Sequence, residues 1–320
     1  MIVSILIALA AGLASATMFA SIISGAMISL VLFYLAPLPL MVAALGWGST
    51  TALIGGVIAA LGLGFIFGLP YMAAFALTVA LPAWWLGHLT LLARPVSNDP
   101  QLANIAPVLD WYPTGRILAW IAVFASITTI SALLTLGTDA DAINAALRSF
   151  LIRVLGNRSG TTPETDRVVD ALVVVGPSIA TIIAMVLLTL NLWLSAKITT
   201  TSGRMKRPWP DLRITTLPRP ILAALLIAVA LCFVGGLLAL VAQIVSSALL
   251  MAYAVTGFAV LHTVTQAFSG RAFVLGAAYA ATLFIGWPLL GMISLGLADA
   301  VFGIRQAYWT RRGPPPMPTA

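Results

Sequence analysis

Charge is what this sequence lacks most. Of 320 residues only 8% are charged, 61% are hydrophobic, and the mean hydropathy is +1.07. A soluble domain carries roughly 25% charged residues. The chain therefore cannot build a water-compatible surface, which excludes a soluble enzyme and a soluble binding domain. The net charge of +7 does not indicate nucleic acid, because the basic residues sit in short segments between apolar runs. That distribution is the footprint of membrane orientation. A lone cysteine, Cys232, excludes an internal disulfide and reads as a small buried hydrophobe. Two histidines, His88 and His262, are too few for a histidine-rich metal site. Neither H-E-x-x-H nor G-x-x-x-x-G-K-[ST] occurs, which removes zinc-hydrolase and P-loop nucleotide chemistry. No nucleophile, base and orienting group converge, so neither an enzyme nor a cofactor or metal is expected. The first ten residues, MIVSILIALA, hold no lysine or arginine. LASA at Leu13–Ala16 is therefore not expected to be a signal-cleavage site.

What is abundant is apolar sequence in span-sized pieces. About 20 apolar residues cross the hydrocarbon core as a helix. That ruler places spans near 2–24, 25–45, 49–68, 70–92, 117–137, 171–196, 220–242, 244–268, 272–287 and 289–308. The expectation is an all-α polytopic membrane protein, a helical bundle of about eight to ten transmembrane spans. Its organisation reads as a four-span unit at 1–95, a linker at 96–116, a membrane unit at 117–308 and a disordered tail at 309–320. Lys197–Arg219 holds six basic residues against Asp211, and the tail carries Arg305, Arg311 and Arg312 without an acid. Both are expected in the cytoplasm, with the N-terminus on the same side of a cytoplasmic (inner) membrane. Between Gly137 and Asp170, four arginines meet five acids, which places that loop outside. There Ile143, Leu147, Phe150 and Val154 recur at helical spacing, with Thr138 and Asp141 as a capping box. This predicts an amphipathic helix near 139–156 lying at the outer interface. Next, Thr162 as N-cap, Pro163 at the first helical position and acids in the first turn start a long helix that kinks near Pro177.

Within the second span, LFYLAPLPLMVAALGWG sets Pro37 and Pro39 two residues apart, followed by Gly46. Each proline removes a helical donor, and the residues before them, Ala36 and Leu38, are pushed toward extended backbone. The expectation is a break, with one helix ending near Leu35 and another restarting near Leu40; a tolerated kink is the alternative. Broken backbone at membrane depth survives only inside protein or along a cavity.

Polar residues inside spans are the candidate site. Asn191, His262 and Gln266 are read as lining a ligand cavity beneath the outer helix, with His262 and Gln266 four residues apart on one face. Asn191 and Gln243 have interhelical hydrogen bonding as their plainer role. Asp299 pairs with Arg305 or Arg271, or else couples ions or protons. In ALAAGLASA, Ala8, Gly12 and Ala16 share one face, while Ala10 and Ala14 share another that could dock a partner.

The stretch YLAPLPLMVAALGWGSTTALIGGVIAALGLGFIFG, with Pro37, Pro39, Gly46 and Gly48, resembles the substrate-binding S components of energy-coupling-factor vitamin transporters. The whole chain, with GLADAVFGIR (Gly296–Arg305) and a basic tail, resembles the YybS-like family of uncharacterised bacterial membrane proteins. The first resemblance implies an S-component-like first four spans, with Ala10 and Ala14 as a docking face for a partner membrane protein or ATPase module. Vitamin binding does not carry over, because this chain has about four more spans. The combined expectation is an integral membrane binding or transport component for a small or lipid-like molecule, energised by a partner or an ion gradient. The alternative is a scaffold that assembles envelope proteins without moving a ligand.

Overall fold

The computed structural model describes residues 2–95, 109–155 and 163–312. They form an almost wholly helical bundle. In chain order the helices are α1 (Ile2–Ala20), α2 (Met27–Tyr34), α3 (Pro37–Trp47), α4 (Ser49–Phe67), α5 (Leu69–Phe75) and α6 (Leu81–Leu91). There follow α7 (Thr114–Leu134), α8 (Ala140–Leu155), α9 (Pro163–Thr201), α10 (Arg219–Leu231), α11 (Gly236–Val264), α12 (Arg271–Phe284), α13 (Pro288–Phe302) and α14 (Ile304–Arg312). Large apolar side chains point outward all round the bundle: Phe65 is 94% exposed, and Met27 and Phe233 are each 87% exposed. Such a surface fits hydrocarbon and not water, so this is a multi-pass membrane protein.

Among the described residues seven helices are long and apolar enough to cross a bilayer, or eight if the bent pair α12 and α13 counts as one span. The larger expected number fails at two places. The apolar run after Arg219 breaks at Cys232–Gly235 and not near residue 243, which leaves α10 only 13 residues long. Gly235 and Gly236 both take positive φ there, a backbone open to glycine alone at low strain. The second place is α12 and α13, which bend by 120° at Gly286–Trp287 and turn back toward the end they came from. Three other features also depart from expectation. Ala93–Pro95 (β1) and Leu109–Trp111 (β2) pair as an antiparallel ribbon within an otherwise all-α chain. Residues 309–312 continue α14 instead of belonging to a disordered tail, whereas 313–320 lie outside the described residues. The cap of α8 is Asp139, whose carboxylate accepts the Ala142 N–H at 2.8 Å, and not Thr138.

One apolar core joins both parts of the chain. Phe19, Met41, Phe75 and Leu86 from the first four spans pack with Ile121, Met185, Leu249 and Tyr253. The expected long helix is there. α9 runs 39 residues through Pro177, about 58 Å at 1.5 Å per residue, longer than a bilayer core of about 30 Å. Its excess carries α8. Arg148 binds Asp166 at 3.2 Å and Asp170, while Ile143 and Leu147 pack with Leu133, Leu240 and Ile244. The expected cap at Thr162 lies outside the described residues.

Small residues are spent inside the bundle. A Cβ on Gly12 would stand 2.4 Å from Gly55 O, and one on Gly257 would stand 1.9 Å from Met292 O. The faces of α1 against α4, and of α11 against α13, are therefore in backbone contact. Ala8 and Gly12 are buried in the first contact, whereas Ala10 is exposed and Ala14 half-buried.

Gly257→Ala should lower stability by about 1–3 kcal/mol, the usual range for overpacking. Gly276→Ala, on α12 with no atom within 4 Å of its Cβ, should not. Thermal unfolding of the two variants in one neutral detergent measures the difference.

Candidate functional site

At the end of the bundle opposite α8, the segment 203–218 folds back across the ends of α7, α9 and α11. It closes a cavity of about 800 Å³. The residues between Gly203 and Pro218 form no regular helix beyond one short turn at Leu212–Ile214, as expected where Pro208, Pro210 and Pro218 interrupt the chain. The fold-back needs a close approach at Gly115: a Cβ there would fall 1.8 Å from Thr216 O. Thr114 and Thr215 join hydroxyls at 3.0 Å beside it.

What holds the segment is the pair expected at Asp299 and Arg305. Gly303 ends α13 in the left-handed region (φ 64°), sending its N–H to Asp299 O and turning the chain so that Arg305 returns to Asp299. The Arg305 Nε and Nη2 donate to Asp299 Oδ2 at 2.9 and 2.7 Å, and its backbone N–H donates to Oδ1 at 2.8 Å. The remaining Nη1 donates to the carbonyls of Arg213 and Thr215 at 2.6 and 2.9 Å. The side chains are 3% and 9% exposed, so the ion pair is shut away from water and acts as a fastening.

The walls are apolar and aromatic: Ile117, Ile121, Leu192, Trp193, Val255 and Phe258 among them. Phe258 stacks on Tyr279 of α12 with centroids 4.7 Å apart, and His262 Nε2 lies 3.0 Å from the Tyr279 hydroxyl. Polar groups gather on the folded-back segment. Arg213 donates through Nε and Nη2 to Asp211 at 2.8–3.1 Å. That hydrogen bond holds the Asp211 carboxyl below its usual range and pushes the Arg213 guanidinium up. Arg207 is 7% exposed; its Nη1 donates to Thr90 O at 3.2 Å and its guanidinium lies 6.0 Å from the Trp111 ring centre. Burial lowers its affinity for the proton.

Of the three residues expected to line a ligand cavity, the structure places one there. His262 is in the lining. Gln266 is not: α11 ends at Val264, so Gln266 lies in the following turn and no longer shares a helix face with His262. Asn191 is fully buried elsewhere, at the proline break. There Pro37 and Pro39 offer no N–H to Phe33 O and Leu35 O, and the Leu38 N–H turns to Leu35 O at 2.9 Å. Tyr34 O loses its helical donor, and Asn191 Nδ2 supplies one at 2.9 Å, with a second bond to Leu187 O at 2.8 Å. The interruption spans only Leu35 and Ala36, and Ala36 keeps right-handed helical backbone (φ −54°, ψ −34°) instead of extended geometry. The helix restarts at Pro37, not near Leu40, because proline is well suited to a first helical turn. Gly46 lies inside α3; the turn is at Gly48, with φ 105°. Gln243 bonds Val174 O and Ser178 Oγ across to α9, the plainer of its expected roles.

The cavity itself also lies at the other end from the outer helix under which it was expected. Its polar members, Arg207, Asp211 and Arg213, were legible in sequence only as orientation charges. The available signal was the tryptophan and prolines in RPWPDLR, which mark a constrained segment and not a solvated charge run. Among the described residues no three His, Cys, Asp or Glu side chains gather as metal ligands. Compared with family models, curated proteins and solved structures, the chain matches none.

Asn191→Leu should destabilise the protein by about 1–2 kcal/mol by orphaning Tyr34 O in the apolar core. Restoring a donor by Asn191→Gln should recover part of it, read as unfolding midpoints in detergent. The depressed Asp211 carboxyl contributes stability that is present above its unfolded value near 3.8 and lost as pH falls through the folded value. The stability advantage of the wild type over Asp211→Asn should therefore be flat from pH 7 to 5 and shrink below about pH 4.

Proposed function

We propose that this protein binds, or carries across a membrane, a small amphipathic molecule held in the cavity beneath the 203–218 segment. The observation that carries this reading is the cavity itself: about 800 Å³, walled mostly by aliphatic and aromatic side chains with a few polar groups, Arg207 and His262 among them. Pockets for small organic ligands run from about 300 to 1,000 Å³ and combine apolar walls with a few placed polar groups. An apolar body would lie against Ile121, Val255 and Phe258, with its polar part toward Arg207, Tyr279 and His262.

The basic character of 197–219 assigns the cavity to the cytoplasmic end of a bacterial inner-membrane protein, with both termini on that side. Asp299 is fully engaged by Arg305, which favours its structural role over ion or proton coupling. Transport would then draw energy from a partner, and the S-component resemblance supplies its kind, a membrane module with an ATPase. The exposed Ala10 edge of α1 is the surface kept for that partner.

Trp193 and Trp209 line the cavity and report on its occupancy. Single-chain amphiphiles added to the purified chain in neutral detergent should change tryptophan emission saturably and raise the unfolding temperature. Ala259→Trp, which puts a large ring into the cavity, should abolish both effects while leaving the chain folded. If no amphiphile, charged or neutral, shifts either signal, the binding reading falls and the scaffold alternative takes its place.

A further inference from the structure

Three arginines of the cytoplasmic end come together around the cavity, and two of them are matched by carboxylates. Arg305 holds Asp299, and Arg213 occupies both oxygens of Asp211. Arg207 is 7% exposed against 3% for Arg305, yet among the described residues no carboxylate lies within 4.0 Å of it. Among the described residues its partners are one carbonyl, Thr90 O, and the face of Trp111. A guanidinium offers five N–H donors in a planar fork, so most of its capacity is unspent. A buried cation without a counter-charge is costly, and the cost is offset when an anion arrives. Asp211 does not fill that role, since its oxygens already accept from the Arg213 side chain and backbone N–H. Arg207 is thus a cation in the lining of an apolar cavity for which the described residues supply no carboxylate.

We propose that Arg207 is the anion-recognising residue of this cavity and that the ligand is an amphiphile with a phosphate or carboxylate head on an apolar body. The inference rests on reading the cavity as a binding site. Arginine suits both heads, because its fork matches two oxygens at once. The head lies at Arg207, at the level of the Thr90 carbonyl, and the apolar body runs along Ile121, Leu192 and Val255. Two sources share this chemistry: a lipid of the surrounding bilayer and a water-borne anionic amphiphile.

The probes are dodecyl phosphate, uncharged dodecanol and inorganic phosphate, each titrated against the full-length chain in neutral detergent with tryptophan emission as the readout. Dodecyl phosphate should bind at least tenfold more tightly than dodecanol or inorganic phosphate. Arg207→Gln should remove that preference, and Arg207→Lys should restore part of it. The wild-type comparison stands without any variant, so a variant that fails to fold does not decide the matter. Equal binding of dodecyl phosphate and dodecanol overturns the anionic head and leaves the cavity reading intact. Inorganic phosphate binding as tightly as dodecyl phosphate overturns the apolar body. Silence from all three overturns both readings. Repeating the dodecyl phosphate titration in phosphatidylglycerol and phosphatidylcholine nanodiscs separates the sources. Weaker apparent binding in phosphatidylglycerol identifies a competing bilayer lipid, and equal binding identifies a water-borne amphiphile; either upholds the proposal.

Discussion

The buried pair between Asp299 and Arg305 is the contact on which the candidate site depends. Its position follows from Gly303, which reverses the chain at the end of α13 and delivers Arg305 to a carboxylate six residues back. Because Asp299 takes only part of the guanidinium, the remaining donor reaches the Arg213 and Thr215 carbonyls and fixes the segment that covers the cavity. A buried ion pair is not in itself a strong source of stability, since desolvation offsets most of the attraction. Its value here is geometric. It ties the C-terminal turn to a segment some ninety residues earlier, and the cavity exists only while that segment is seated.

The same physical demand recurs through the bundle. Without water in the hydrocarbon, each carbonyl that leaves the helical ladder needs another donor. Asn191 serves Tyr34 O, Gln243 serves Val174 O, Arg207 serves Thr90 O, and Arg305 serves two carbonyls of the folded-back segment. Asn191, Arg207 and Arg305 act where a helix is interrupted or ends or the chain is non-helical, whereas Gln243 bonds across to the continuous α9. Of these four, Arg207 is the one with a charge that meets no carboxylate among the described residues, which sets it apart from residues that mend the backbone.

Much of the architecture was legible in advance because the hydrophobic run is a strong signal. The long α9 and the helical α8 lie where composition pointed, while the interruption at Leu35–Ala36 is shorter than the break expected and falls within one span-length segment. Of the eight to ten spans expected, the described residues offer seven, or eight with the bent pair; the difference from ten lies at Cys232–Gly235 and Gly286–Pro288, where glycine and proline mark breaks whose geometry hydropathy does not register. Asn191 and Pro37 each stood out as anomalies within an apolar span. They are one feature, a donor and the carbonyl it rescues, separated by 157 positions in sequence.

The sequence by itself determined that this chain lives in a bilayer, for a surface with so little charge cannot face water. It also determined which end of the bundle is basic and where helices must yield to proline. Only the tertiary structure decided which polar residues do what. Gln266 and His262 share a helical spacing, yet α11 ends between them; Asn191 is spent on a carbonyl; Arg207, one of six basic residues in its segment, lines a cavity with no carboxylate among the described residues beside it. The reason is that pairing is a property of space. Whether a donor is satisfied depends on what distant helices bring within about 3 Å, and no local pattern encodes that distance.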